Sequence, residues 1–581
     1  RSSSRNIIVL RKRRRAEKWT RRTWIAMNKR HVLTTIAVVT AIIILAYGPS
    51  LQNQFVNWDD DAHFLNNPFV RSFNIKEILT TTVNGIYIPL TSLSFALEYH
   101  FFKATPFIYH LDNLLLHLAV TAMVFLFCLR CGSSVPAAGA AALIFGLHPM
   151  HVESVAWATG RKDVLYAFFY MLALLCYLRH LRRLEQGTAC RRGWEFWLTL
   201  IFGFLSVLAK PMAFSLPFAL LACDWFLRRR TSISSLVEKI YCGLAVMPVV
   251  WMTYVLQARA WDVSLSRSVL TSIWCFLFYI KKFFYPDYFV PIYHLPAPAG
   301  LIDPVYLLTA SFFILWTAII FFYRKDRVFI FANMFYFISI FLLLDHSWTI
   351  NAVADRFMYL PMLGWCMFVG NFYVNLWTRY RNAVIGRAAL LFVGIAALSF
   401  LFFQTARQSR VWYNGASLWE HQLRHQSQAA TALVYNKLAQ AYMQEPGFEN
   451  NSGKIQMAED YLHKAIAIKP DYAQAHFHLG QLAARKKDFA LAQAYFKKTI
   501  ELDTGHFDAY FQLGWLYGRN GQYGQAIEAF HKAIQVKPDH EDMYRQILDF
   551  YDATTAAGRQ IYEQERDGLA REYIDRFQRH P

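Results

Sequence analysis

The sequence predicts an all-α protein in two parts, a polytopic bundle of membrane-spanning helices followed by an α-solenoid of repeated helix pairs. Three observations predict it. Of the 581 residues, 55% are hydrophobic and 17% aromatic, while 17% are charged; soluble domains carry about a quarter charged residues. Apolar runs long enough to cross a bilayer recur between short basic connections. The C-terminal part then changes to Ala, Gln, Tyr and Lys in helical periodicity, with self-similarity at a fixed step.

A helix crosses a bilayer in about 20 apolar residues, and only helices or closed barrels satisfy the backbone there. About eleven such segments begin near residues 32, 107, 137, 163, 195, 212, 237, 305, 328, 357 and 387. They define a membrane domain over residues 32–403, behind a basic segment at residues 1–31. The cluster "RKRRRAEKWTRR" from Arg11, with Lys29 and Arg30, predicts a cytoplasmic amino terminus. Anionic headgroups add roughly 1 kcal/mol per basic residue near the surface.

With that orientation the even-numbered connections should be basic, and they read "LRCGSSV", "LRHLRRLEQGTACRRG", "LRRRTS", "YRKDR" and "TRYRNAVIGR". An odd number of spans then puts everything after Gln404 outside, in the periplasm for a bacterial inner-membrane protein or in an equivalent lumen. The segment "SVLTSIWCFLFYIKKFFYP" from Ser268 is apolar enough for a further span, but a span there would invert the basic loops that follow. It is expected as a re-entrant or interfacial helix ending at Lys281 and Lys282. The run Val32–Tyr47 continues into "YGPSLQNQF" without a small-residue cleavage site, so it is expected to be a retained span.

The formal charge of +20 lies mostly in these loops, which argues against nucleic-acid binding. All eight cysteines lie between Cys128 and Cys366, in or beside apolar runs, so neither a disulfide framework nor structural zinc is expected.

After a linker helix at residues 404–429, self-similarity appears at a period of 34. Leu479 and Gly480 recur as Leu513 and Gly514. Ala458, Ala492 and Ala526 keep the same step, as do Leu462, Phe496 and Phe530, and "IKPD" at Ile468 returns as "VKPD" at Val536. This is the tetratricopeptide pattern, in which small residues let two helices approach and a large one fills the groove between them. Three helix pairs are expected over about residues 430–540, the first carrying the insertion "QEPGFENNSGK", with helix to about Arg579 capping a domain of residues 430–581. Such a stack predicts a docking platform for peptides or partner proteins; the alternative is a rigid spacer or an oligomerisation surface.

The long first external connection, residues 51–105, holds "FVNWDDDAHFLNNPFV" with Asp59, Asp60 and Asp61 in succession. Loops longer than about 15 residues are usually functional or disordered, and the aromatics here argue for order. Ionisable groups at membrane depth are functional candidates by default. By this topology the same membrane face collects His148, His151, Glu153, Arg161, Lys162 and Asp163, then Lys210, then Asp345, His346, Asp355 and Arg356.

Carboxylates facing cations at a lipid surface suit group transfer from a lipid phosphate. The cations hold the anionic leaving group while a carboxylate accepts the nucleophile's proton. The same residue types also serve proton or ion pathways, and His148 and His151 fit equally well as satisfied core histidines. No dedicated metal pattern exists, although Asp59 and Asp60 could hold a divalent cation through their oxygens.

The strings "FVNWDDDAHFLNNP", "IPLTSLSFAL", "YHLDNLLLHL", "HPMHVESVAWATGRKDVL", "AKPMAFSLPFALLACDW" and "ADRFMYLPMLG" occur in this order before the repeats. Together they resemble the transmembrane-and-tetratricopeptide-repeat glycosyltransferases of the GT-C fold, whose eukaryotic members are protein O-mannosyltransferases. The likeness runs from about residue 32 to the end, and "HPMHVESV" with "GRKDVL" is its most specific part.

The resemblance implies an inverting transferase that takes a sugar from a polyprenyl phosphate to a hydroxyl of an exported protein docked by the repeats. It maps the general base and its partner onto Asp60 and Asp59, and an acidic position of the second external loop onto Glu153. It also implies lipid-phosphate contacts at Arg161, Lys162, Lys210 and Arg356, with His148 and His151 beside them. Two positions depart from the pattern: Ile88 stands where the family usually carries a basic residue or His, and the acidic run is three residues long, as in bacterial relatives, which leaves the base open among Asp59, Asp60 and Asp61. The sugar stays open. The alternative reading is a non-enzymatic membrane scaffold or assembly factor whose repeats bind an envelope, pilus or secretion component, and a lipid or glycan transporter is a third.

Overall fold

A computed structural model describes residues 29–186, 193–230, 232–257, 265–294, 304–343, 353–426, 431–538, 540–556 and 563–575. Among these residues no β-strand forms. The chain divides into two compact units, Arg1–Tyr413 and Asn414–Pro581. The amino-terminal basic cluster, Asp345, His346 and Arg579 lie outside the described residues.

In the first unit the helices are α1 (Lys29–Tyr47), α2 (Pro89–Phe102), α3 (Pro106–Arg130), α4 (Val135–Leu147), α5 (Arg161–Glu185), α6 (Trp194–Ala209) and α7 (Leu216–Phe226). They are followed by α8 (Ile233–Gln257), α9 (Leu265–Phe284), α10 (Pro304–Phe322), α11 (Arg327–Ile340), α12 (Met362–Arg379) and α13 (Val384–Val411). Local signals set their starts. Pro stands in the first turn of α2, α3 and α4, where its missing N–H costs nothing. Ser134 caps α4 and Asp326 caps α11 through side-chain oxygens.

Each of the eleven expected segments lies on a helix. Six helices are long and apolar enough to cross a membrane alone: α1, α3, α5, α8, α10 and α13. A seventh span arises if α4 and the helical turn Pro149–Ala156, bent by 50°, act together. α6, α7 with its preceding turn, and α11 are apolar but shorter. α9, the segment expected as a re-entrant or interfacial helix, is a helix of 20 residues outside that group, and α13 continues past residue 403 to Val411.

The exposed faces are apolar: Phe322 is 79% and Ile385 87% exposed. Surfaces of this kind are stable in lipid and not in water, and the chain is an integral membrane protein. Inside the bundle, small residues let helices approach, as expected where lipid tails remove the hydrophobic driving force. A Cβ on Gly370 of α12 would lie 2.5 Å from the Ala137 carbonyl oxygen of α4. No disulfide joins the seven cysteines among the described residues, including Cys128 and Cys131 at the end of α3.

The connection between α1 and α3 is ordered. Asn67 and Asn74 cap short helices at Pro68–Arg71 and Ile75–Thr80. Phe64, Phe95 and Tyr109 form a stacked cluster with Val70 and Ile78 packed on it. The aromatics of this loop therefore build a small core of their own, which fixes the acidic run at its edge.

The second unit holds α14 (Gly415–Gln426), then helix pairs α15 (Ala432–Gln444) with α16 (Ser452–Ile468), α17 (Ala473–Arg485) with α18 (Phe489–Leu502), and α19 (Phe507–Arg519) with α20 (Tyr523–Val536). A further pair, α21 (Glu541–Ala556) and α22 (Glu563–Tyr573), follows. The repeated glycines have a steric reason. A Cβ at Gly480 would lie 2.6 Å from the Phe496 ring, and one at Gly514 would lie 2.8 Å from Phe530, so each large residue fills the space its glycine leaves. The insertion in the first pair turns at Gly447, whose φ of 76° suits glycine.

Candidate active site

The segment between α4 and α5 carries most of the candidate residues. α4 ends at Leu147, and the backbone then makes three short helical turns, Pro149–His151, Val152–Ala156 and Ala158–Gly160, before α5. The turns close tightly on themselves: a Cβ at Gly160 would sit 2.7 Å from the carbonyl oxygens of both Glu153 and Ser154. Backbone cannot yield as a flexible side chain does. Gly160→Ala is therefore expected to displace the start of α5 and to cost about 1–3 kcal/mol; unchanged thermal unfolding of the variant would refute this.

The acidic run meets this segment from the first loop. Asp60 is 1% exposed. One of its carboxylate oxygens accepts the Val56 N–H at 2.9 Å, and the other accepts the Thr159 N–H at 3.1 Å and the Thr159 hydroxyl at 2.5 Å. Burial raises its pKa to about 7 against the opposing pull of these hydrogen bonds. Asp59 differs. Its side chain is 30% exposed and lies 3.9 Å from the Lys162 ammonium. Asp60 thus ties the loop to the α4–α5 segment, and Asp59 is the carboxylate that faces outward beside a cation.

Three cations gather around two aromatic rings. Lys162 and Arg356 lie 5.1 and 5.7 Å from the Trp157 ring, while Lys210 and Arg356 lie 5.5 and 5.2 Å from the Phe357 ring. Two of them are steadied by buried acids. Glu153 accepts from the Arg356 backbone N–H at 2.9 Å and pairs with its guanidinium, and Asp163 pairs with Lys210. Burial lowers the Lys210 pKa to about 8, with Asp163 opposing the shift. Asp355, beside Arg356, takes hydrogen bonds of 2.9 and 3.0 Å from the Tyr293 hydroxyl, and burial raises its pKa.

The remaining candidates sit apart. Arg161 points into the loop core, pairing with Glu98 at 2.7 Å, donating to the Asn113 side chain, and donating to the Tyr109 carbonyl at 3.0 Å. Its three nitrogens are thereby engaged. His148 lies with Nε2 3.1 Å from the Phe283 carbonyl, and its Nδ1 accepts the Met150 N–H. His151 is buried against Phe145, Tyr359 and His117. Both occupy the positions of core histidines. Among the described residues no group of three or more His, Cys, Asp or Glu side chains is set to hold a metal ion.

Sequence reasoning missed Thr159, which fixes Asp60, and the rings of Trp157 and Phe357, around which the cations gather. The signal for Thr159 is its place two residues before Arg161 in "ATGRKD". The partners of Arg161, Glu98 and Asn113, lie in "SFALEYH" and "YHLDNLL", where nothing in spacing marks them.

Two tetratricopeptide-repeat family models match residues 451–506 and 507–540. The chain is 35% identical over 166 residues to the mouse Protein O-mannosyl-transferase TMTC1, covering 26% of this chain and 17% of that protein. It is 23% identical over 475 residues to a Caenorhabditis elegans protein O-mannosyl-transferase, covering 76% of this chain and 64% of that one. It is also 32% identical over 212 residues to the Drosophila melanogaster Protein O-mannosyl-transferase Tmtc2, covering 34% and 22% respectively. The matches thus span less than two thirds of these relatives. The crystal structure of MamA is 23% identical, covers 28% of this chain and 85% of its own, and has a TM-score of 0.23. This chain carries tetratricopeptide repeats and is homologous to the protein O-mannosyl-transferases of the transmembrane-and-tetratricopeptide-repeat family.

Proposed function

We propose that the protein is a membrane glycosyltransferase that moves a sugar from a polyprenyl-phosphate donor to a hydroxyl of a protein, with inversion at the sugar carbon. The observation that carries this reading is the half-exposed Asp59 standing beside Lys162, at the edge of a site holding Lys210 and Arg356. The acceptor hydroxyl attacks the anomeric carbon and gives its proton to Asp59. The bond from that carbon to the phosphate oxygen breaks, and Lys162, Lys210 and Arg356 neutralise the departing phosphate. Lys162 lies 3.9 Å from Asp59, and a donor phosphate that competes for this ammonium leaves the carboxylate to take the proton.

Asp60 is assigned a positioning role here, because its oxygens already accept three protein hydrogen bonds. Glu153 and Asp163 hold Arg356 and Lys210 in place, and the repeats dock the acceptor. Intact masses of exported proteins from cells with and without this chain test the reading. Sugar-sized increments should disappear without it, and identical masses in both would sink it.

The proposed orientation has the amino terminus cytoplasmic and the repeats on the opposite side of the membrane, with the site, in the bacterial inner membrane. Support comes from the alternating basic loops. In intact cells a cysteine at Gln522 should react with an impermeant reagent while one at Gln186 stays shielded. The opposite pattern would invert the topology and remove the site from the donor's leaflet.

A further inference from the structure

The far end of the bundle carries a second charged assembly that the transfer reaction does not use. α7 begins just after the turn that follows Lys210 and spans 11 residues, or about 16 Å. At its end lies a cavity of about 270 Å³ lined by Leu221, Asp224, Trp225, Arg228, Arg229, Ser235 and Arg327.

The charges here do not balance. Asp224 pairs with Lys239 and accepts from the Tyr177 hydroxyl at 2.7 Å. Glu238 takes a two-pronged contact from Arg229 at 2.6 and 2.9 Å. These two acids and two bases neutralise one another. Arg228 and Arg327 are left over: both line the cavity, and neither has a carboxylate partner among the described residues. The Arg327 guanidinium lies 4.5 Å from the Trp225 ring and donates to the carbonyls of Trp225 and Phe226, while its buried Nε has no hydrogen-bond partner.

The backbone at this point is strained in a telling way. α7 closes with the Arg229 N–H bonded to the Asp224 carbonyl at 2.9 Å and the Arg228 N–H to the Trp225 carbonyl at 3.1 Å. This is the left-handed helix ending that normally places glycine where Arg228 stands. Arg228 adopts φ of 60° there. Non-glycine residues are disfavoured in that conformation and collect at functional sites.

We propose that Arg228 and Arg327 form a binding site for the phosphate of an anionic lipid, in the leaflet opposite the candidate active site. Two guanidiniums lining one cavity supply the charge and the hydrogen-bond donors that a phosphate takes. The source is a lipid because the cavity wall is amphipathic: Leu221 and Trp225 are 37% and 36% exposed beside the cations, and Ile233 and Leu236 extend the apolar surface.

The test titrates the full chain, in a neutral detergent, with dihexanoyl phosphatidic acid, dihexanoyl phosphatidylcholine and inorganic phosphate, reading the midpoint of thermal unfolding. Phosphatidic acid should raise it saturably and the other two should not. Arg228→Gly and Arg327→Gln should each weaken the apparent affinity by about tenfold or more. Arg228→Gly suits the backbone, so without ligand it should melt at or above the wild-type temperature; should it melt lower, the affinity of Arg327→Gln decides. Equal stabilisation by inorganic phosphate would overturn the lipid assignment. No saturable response, or wild-type affinity in both variants, would overturn the site.

Discussion

Asp59→Asn is expected to lower sugar transfer by about 10²- to 10⁴-fold, the usual contribution of a general base, while donor-lipid binding and thermal stability stay near wild type. The expectation rests on position. Asp59 is a partly exposed member of the acidic run that lies beside Lys162, one of the three cations of the site. The substitution is nearly isosteric and disturbs no hydrogen bond that holds the loop. Transfer at the wild-type rate with Asp59→Asn would remove the base from this residue and favour a scaffold role for the chain. Donor binding has to be measured alongside, because a collapsed loop also loses activity.

Asp60→Asn should behave differently although the two residues are adjacent. An asparagine offers one acceptor oxygen where Asp60 uses two, so the Val56 N–H or the Thr159 pair meets an amide NH₂ instead. A loss of about 1–3 kcal/mol of stability follows from the unsatisfied group. The pH dependence gives a second signature. Burial lifts this carboxyl from 3.8 to about 7, so the folded chain holds the proton more tightly than the unfolded chain between those values. Its contribution to stability is therefore present below pH 4 and lost as the pH rises through about 7, at up to about 1.4 kcal/mol per unit. Asp60→Asn should flatten that slope.

The contrast between these two aspartates shows what a sequence can and cannot convey. "DDD" marks a carboxylate cluster on a loop, and the resemblance ranked Asp60 first within it. Which of three consecutive acids turns inward depends on Thr159, 99 residues away, and on a ring cluster that orients the whole connection. No local pattern encodes that. The helices were legible because apolar length and basic loops are local properties, and the repeats were legible because steric complementarity between Gly480 and Phe496 recurs at a fixed step. The resemblance groups Arg161 with its sequence neighbour Lys162 as lipid-phosphate contacts. Successive residues of a helix diverge by about 100°, and that turn carries one into the site and the other into the loop core.

Arg161 accordingly supports the largest expected effect on stability. Its guanidinium is 2% exposed and satisfies Glu98 at 2.7 Å, the Asn113 side chain and the Tyr109 carbonyl. It also lies 5.3 Å from the Phe95 ring. Removing one partner of a buried ion pair leaves the other uncompensated, at a cost of about 3–5 kcal/mol. Arg161→Met keeps much of the side-chain volume, so its loss isolates the charge. Glu98 is the group left exposed to that cost, and burial already pushes its pKa up to about 8 with Arg161 opposing. The double variant Arg161→Met with Glu98→Gln should therefore regain part of the lost stability, since it removes the stranded carboxylate. Thermal unfolding of the two single variants and the double variant in one detergent closes the cycle. If Arg161→Met unfolds like wild type and loses donor binding alone, Arg161 faces the lipid phosphate after all, and its place in the loop core is wrong.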